Sequence, residues 1–140
     1  MKKLSIDEKK ALIRRVLDEL YNQRNLVLID EVATENVIVH TPSIDLKGRE
    51  GWKQYTTMFL TAFPDINLAI DDMIAEDDKV VARWTLQATH KGSLRNIPPT
   101  GKKIILTGIA IYRFSDNKID EGWALNDALG LMQQLGVISN

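Results

Sequence analysis

Three side chains in this sequence stand where proton chemistry would make use of them: Asp127, His40 and His90. Asp127 lies between Leu125 and Leu129, where a β-branched hairpin gives way to the apolar run Ala128-Leu129-Gly130-Leu131-Met132. Burial among Trp123, Leu125 and Leu129 would raise the pKa of that carboxylate and suit it to take a proton from an activated carbon. Asp is equally a favoured helix N-cap, and there the cap hydrogen bonds and the helix dipole would hold it ionised and weaken it as a base. His40 closes a short β-branched run at Val39-His40-Thr41-Pro42. A neutral imidazole at that point could donate to a substrate oxygen or accept a proton, and its plainer role is a backbone hydrogen bond at a strand end. His90, in Thr89-His90-Lys91-Gly92, reads either as a solvated loop histidine or as a member of the same site.

Large rings surround these three. Trp52, Tyr55 and Phe59 fall on one stripe of a helix that starts at Gly48 and is stopped by Pro64, with Met58 and Phe63 beside them. Rings at this spacing form either core or the roof of a pocket. Trp84 belongs to the alternating run Val80–Ala88, in which Val80, Ala82, Trp84, Leu86 and Ala88 share a face. The stretch Thr100–Leu135 contains a long hairpin turned at Asp116-Asn117, residues that suit a tight turn. If Tyr112 pairs with Gly122, then Gly108, Ala110, Tyr112, Gly122, Ala124 and Asn126 line one face, and their small side chains leave room for a ligand. Ile111, Arg113, Glu121 and Trp123 then take the other face, with Arg113 and Glu121 as an ion pair. A shift of one residue exchanges the two sets. The candidate substrate-binding residues are therefore Trp52, Tyr55, Phe59, Phe63, Trp84, Tyr112, Trp123 and Asn126.

The elements that must position these groups follow from pattern. Ser5 and Glu8 have capping-box spacing, and Leu12, Ile13, Val16, Leu17 and Leu20 then recur with helical period. Asn22-Gln23-Arg24-Asn25 interrupts that helix, and Leu26–Val32 forms a second, short one. A short strand follows at Val37–Val39, then the Gly48 helix, and then strands that include Ile66, Leu68 and Ile70, the run Val80–Ala88, and the final hairpin. Helices gathered ahead of consecutive strands indicate an α+β fold, a curved antiparallel sheet with helices on one face enclosing a cone-shaped cavity.

The chain has 140 residues, 44% of them apolar, and reads as a single domain over residues 1–140. A net charge of −1 argues against nucleic acid or an anionic membrane as partner. No stretch is long and apolar enough to span a bilayer. The absence of cysteine fits a reducing, cytoplasmic setting, and with only two, well-separated histidines no protein metal site is expected. Ile105, Ile109 and Ile111 fall on the face away from the helices, and an uncovered apolar sheet face predicts a homodimer.

These pieces together carry a family pattern: Val39–Pro42 (VHTP), Ala62–Ile66 (AFPDI), Glu76–Trp84 (EDDKVVARW), Ala88–Ile104, Thr107–Asp127 and Leu131–Gly136 (LMQQLG). In this order, over nearly the whole chain, they resemble the SnoaL-like polyketide cyclases or ester cyclases. That family belongs to the superfamily of nuclear transport factor 2-like folds, with ketosteroid isomerase, scytalone dehydratase and limonene epoxide hydrolase. The resemblance implies a pocket inside the cone for a hydrophobic or aromatic small molecule. It also implies that the Asp at position 127 acts as acid and base in the intramolecular aldol closure of a polyketide ester, without metal or organic cofactor. Folding a flexible chain onto itself can contribute up to about 7–11 kcal/mol to such a reaction, and one general base roughly 10²–10⁴-fold. Epoxide hydrolysis fits poorly, because its charged constellation would fall where Ile111 and Ala124 stand. Ketosteroid isomerisation fits no better, with Thr41 and Ala110 near the places of its acids. The same pocket could also hold a ligand without turnover, or serve a dehydratase, isomerase or hydrolase.

Overall fold

A computed structural model describes residues 2–139. The Ser5 capping box forms as its spacing predicts: the Ser5 hydroxyl accepts from the Glu8 backbone at 3.1 Å, and Glu8 accepts from the Ser5 backbone at 3.0 Å. Helix α1 (Ile6–Leu17) buries Ile13, Val16 and Leu17, and a π-helical turn over Asp18–Asn22 carries Leu20 and Tyr21 inward. The widened turn replaces the simple break expected at Asn22. Asn22 is itself bonded both ways to the Leu68 backbone, at 3.0 and 2.7 Å, tying the helix to the sheet. Helix α2 (Leu28–Val32) completes the N-terminal layer.

Strands β1 (Ala33–His40), β2 (Asp45–Lys47), β3 (Asn67–Glu76), β4 (Lys79–Thr89), β5 (Lys103–Ser115) and β6 (Lys118–Asn126) form one sheet in the order β2-β1-β6-β5-β4-β3. Four of the neighbouring pairs are antiparallel; β1 and β6 run parallel. The sheet is the expected curved and mainly antiparallel one, with a parallel seam between β1 and β6. The chain between β1 and β6 includes α3 (Gly48–Ala62) and three long strands, ample for the crossover that a parallel pair needs. Strand β2 is only three residues long and carries no alternation to announce it.

Burial follows strand parity. In β5, Ile104, Leu106, Ala110, Tyr112 and Phe114 are buried, while Ile105 and Ile109 are 55% and 45% exposed. The hairpin adopts the register with Tyr112 opposite Gly122, Ala110 opposite Ala124 and Gly108 opposite Asn126. The small residues of β5 and β6 therefore face the helices, with α1 and α3 laid across the concave side. Gly108 is required there, because a Cβ would lie 2.2 Å from the Trp84 ring that crosses it. Helix α4 (Ala128–Leu135) extends the sheet where β6 ends: Gln134 bonds the Ile105 backbone in both directions, at 2.7 and 2.8 Å.

Candidate functional site

The concave side holds two adjoining spaces. The inner hollow is small, about 40 Å³, and Tyr21, Leu106, Ala110, Tyr112 and Ala124 are among its walls. The outer chamber is about 270 Å³, bounded by Met58, Leu94, Arg95, Ile97, Leu131 and Met132. Tyr55, Phe59 and Asn126 line both, so they form the neck between them. Tyr55 and Phe59 come from one face of α3 and pack edge to face at 5.3 Å. Asn126 is the last residue of β6 and takes the inward side of its strand.

The inner groups are held neutral. Burial pushes the Tyr21 hydroxyl up to about 12, a shift that the neighbouring Tyr55 reinforces and Thr56 opposes. Burial pushes Tyr112 up as well, with Tyr21 beside it. Tyr55, at the neck, is also raised by burial, but the charge of Arg95 and the side chain of Asn126 act in the opposite sense and favour its ionised form. The polarity of the site therefore increases from the closed end towards the mouth.

The outer chamber owes its shape to the loop between β4 and β5. His90 Nδ1 accepts from the Thr100 backbone at 3.2 Å, and the backbones of residues 90 and 101–102 close on each other at 2.8 and 2.9 Å. Lys91 and Gly92 both donate to the Ala62 carbonyl at 3.1 Å, which anchors the loop to the end of α3. A side chain on Gly92 would collide with the Thr61 carbonyl at 2.2 Å, so only glycine allows this approach. Leu94 and Ile97 then exchange backbone hydrogen bonds at 3.0 and 2.8 Å and turn over the chamber.

The predicted site residues divide into three groups. Tyr55, Phe59, Trp84, Tyr112 and Asn126 line the hollow or its neck. Trp52 and Phe63 are core residues, Trp52 stacked on Tyr112 at 6.1 Å and Phe63 against the His90 ring at 5.5 Å; neither lines the hollow or chamber. Trp123 and His40 lie on the opposite face of the sheet, their rings 5.6 Å apart. His40 bridges two carboxylates, Asp45 at 2.8 Å and Glu121 at 2.7 Å, and these raise its pKa in that order. Glu121 continues to Arg113 at 3.2 Å, and Arg113 to Asp120 at 2.8 Å, so the predicted Arg113–Glu121 pair is one link of a longer ionic chain.

His90 is fully buried rather than solvated, because the loop wraps its ring between Phe63 and Thr100; its Nε2 has no partner among the described residues. Asp127 is exposed, and its carboxylate accepts from the Gly130 backbone at 3.0 Å as the N-cap of α4. Gly130 permits that fold-back, since a Cβ would stand 2.1 Å from Asp127 Oδ2. The expectation that this carboxylate looks into the hollow is corrected. It borders a groove on the far side of the sheet, shared with Asp71, Arg83 and Ile109, and it meets the hollow only through Trp84, Leu125 and Asn126. Strand parity is the reason: Asn126 takes the inward position and Asp127 is the residue after it.

Pattern reading missed Tyr21, Met58, Arg95, Ile97, Leu131 and Met132. Met58 stands beside the aromatic stripe, and Leu94 and Ile97 are apolar residues inside a Gly- and Pro-bounded loop, a composition that signals a loop folded back onto something. Among the described residues no group of three His, Cys, Asp or Glu side chains is placed to hold a metal ion, and no helix is long and apolar enough to cross a membrane.

No curated protein matches the chain. Among solved structures, a candidate polyketide cyclase from Bacillus cereus ATCC 10987 is 33% identical over 97% of this chain and 87% of its own, with a TM-score of 0.80. One from Acidithiobacillus ferrooxidans is 30% identical over 96% and 99%, with a TM-score of 0.81. AclR, a candidate hydroxylase from Streptomyces galilaeus, is 26% identical over 97% and 89%, at 0.88. The shared scaffold thus goes with more than one named chemistry. The model of the SnoaL-like polyketide cyclases matches residues 11–135, and the chain belongs to that family.

Proposed function

We propose that the protein binds a hydrophobic, polyketide-like small molecule across the chamber and neck and closes it by intramolecular aldol chemistry. The observation that supports this reading is the position of Tyr55 and Asn126, two polar groups at the waist of a largely apolar passage. A carbonyl oxygen of the bound chain can accept from both there. Removing a proton beside that carbonyl moves negative charge onto the oxygen, and hydrogen bonds aimed at it strengthen as the charge develops. The walls hold the chain bent, the entropic part of the acceleration.

Asp127 is the base in this proposal. To reach substrate at the neck it must leave Gly130 and turn past Asn126, giving up a cap of about 1 kcal/mol. Such a base suits a methylene already acidified by two flanking carbonyls. One observation favours a second reading, binding without turnover: among the described residues no carboxylate or imidazole lines either space. A panel of poly-β-keto methyl esters, assayed for ring closure and separately for binding, tests both. The aldol reading expects closure by the wild type, loss of closure with intact binding in Asp127→Asn, and slower closure in Tyr55→Phe. Equal inertness of wild type and Asp127→Asn, with ligand bound by each, establishes the second reading. No binding at all defeats both.

The outer sheet face is proposed as the homodimer surface. Ile105, Ile109 and Leu125 are exposed together on it, an apolar sheet surface that a second copy would cover. A cytoplasmic location is the matching expectation for a chain without cysteine.

A further inference from the structure

We infer that the pocket selects a ligand that ends in a carboxylate, recognised by Arg95 at the mouth of the outer chamber. The inference rests on the pocket reading above and adds a free acid group to its hydrophobic ligand.

Among the described residues Arg95 is the one charged side chain that lines the chamber. Among the described residues no carboxylate lies within ion-pair distance of it. Most other guanidinium groups are committed: Arg15 to Glu19 and Glu31, Arg24 to the Leu60 and Pro64 carbonyls, Arg49 to the Ala33 carbonyl, Arg83 to Asp71, Arg113 to Asp120 and Glu121; Arg14, on the exposed side of α1, does not line the chamber. The placement of Arg95 is also enforced. It occupies the turn closed by Leu94 and Ile97, at φ 52°, a left-handed conformation that glycine adopts without cost and a bulky residue does not. Arg24, Asp77 and Asp116 share this conformation at turns; what sets Arg95 apart is that its anchored loop holds it over a cavity. Its charge is felt at the Tyr55 hydroxyl, so the cation and the neck belong to one electrostatic unit.

The dimensions define the rest of the ligand. A chamber of about 270 Å³ lies just below the ordinary range for drug-sized sites and suits one or two fused rings rather than four. Met58, Leu131 and Met132 offer an apolar bed for those rings, with adaptable thioethers. With a carboxylate at Arg95, Tyr55 and Asn126 at the neck remain as partners for a carbonyl or hydroxyl elsewhere on the molecule. Paired guanidinium and carboxylate groups form charge-assisted, bidentate hydrogen bonds, which an ester cannot supply.

Naphthoic acid and its methyl ester provide the test, titrated calorimetrically at pH 7 and low salt into wild type, Arg95→Gln, Arg95→Lys and Arg95→Gly. The wild type is expected to bind the acid at least about tenfold more tightly than the ester, a preference that shrinks as salt is added. Arg95→Gln should lose the preference, its affinity for the acid falling to that for the ester, and Arg95→Lys should restore part of it. Arg95→Gly relaxes the backbone, so its melting temperature should match or exceed the wild type while acid selection is lost, which separates recognition from folding. Equal affinities for acid and ester, or a preference that survives in Arg95→Gln, overturn the inference and leave the pocket reading intact. Binding of neither compound defeats the pocket reading and this inference together.

Discussion

The two faces of the sheet handle polar groups in opposite ways. On the concave face, Tyr112 is buried and Tyr21 partly buried among apolar and aromatic side chains, and both are kept neutral, their hydroxyls pushed above the usual tyrosine range. On the outer face, His40, Asp45, Glu121, Arg113 and Asp120 form a continuous ionic chain in partial contact with solvent. Strand neighbours only one residue apart therefore live in different dielectrics: Tyr112 and Arg113 are adjacent in β5, as are Asn126 and Asp127 at the end of β6. The face of a strand on which a titratable group falls decides what it can do here more strongly than its identity does. Charge in the hollow has to be brought in by a ligand or reach it from the rim, and the rim is where Tyr55, Asn126 and Arg95 stand.

Placing the same new carboxylate on each face sharpens this contrast most. Ala110→Asp inserts an acid into the closed end, where no cation meets it, and should lower unfolding free energy by about 3 kcal/mol or more in a denaturant titration. Ile109→Asp, one position away on the outer face, should leave the folded protomer within about 1 kcal/mol of wild type. Its effect should appear in sedimentation, as a shift from dimer to monomer at micromolar concentration. A monomeric wild type would remove the dimer proposal, and equal stability losses in both variants would break the contrast itself.

The smallest effect concerns pH. His40 has its pKa raised, first by Asp45 and then by Glu121, so the folded state binds its proton more tightly than the unfolded chain. That contribution is complete below the unfolded value near 6.5 and is lost as pH rises through the higher folded value. Glu121 is lowered, first by His40 and then by Arg113, so its contribution is present above about 4.5 and is lost as pH falls through its folded value. The network is strongest between those limits. His40→Gln should flatten the decline of melting temperature above pH 6.5 without altering ligand affinity, because the network touches neither the neck nor the chamber. An unchanged slope would mean that the imidazole is not held between its two acids.

Much of the scaffold was readable in the chain, and the reasons are local. Val80, Ala82, Leu86 and Ala88 alternate cleanly, and the small residues at 108, 110, 122 and 124 point to the hairpin register that the structure has. The parallel seam between β1 and β6 was not readable, because long-range pairing leaves no trace in local pattern. Nor was β2, at three residues. The site was half legible: Tyr55, Phe59 and Asn126 stand at the neck, but the orientation of Asp127 turned on where β6 ends. His90 looked like a solvated loop residue because its loop is polar, yet Gly92 lets that loop close against α3 and seals the ring inside. Arg95 was missed because a lone cation in a loop has no pattern until the loop is seen over a cavity.

Occupation of the concave chamber by ligand, rather than of the outer groove beside Asp127, can be read from methionine methyl groups. Met58 and Met132 line the chamber, and Met73 on β3 lines neither space. In ¹³C-methyl-methionine protein titrated with naphthoic acid, the signals of Met58 and Met132 should move together and saturate with one affinity, while Met73 stays in place. Saturable binding that leaves both Met58 and Met132 unmoved would put the ligand elsewhere on the molecule and contradict the account.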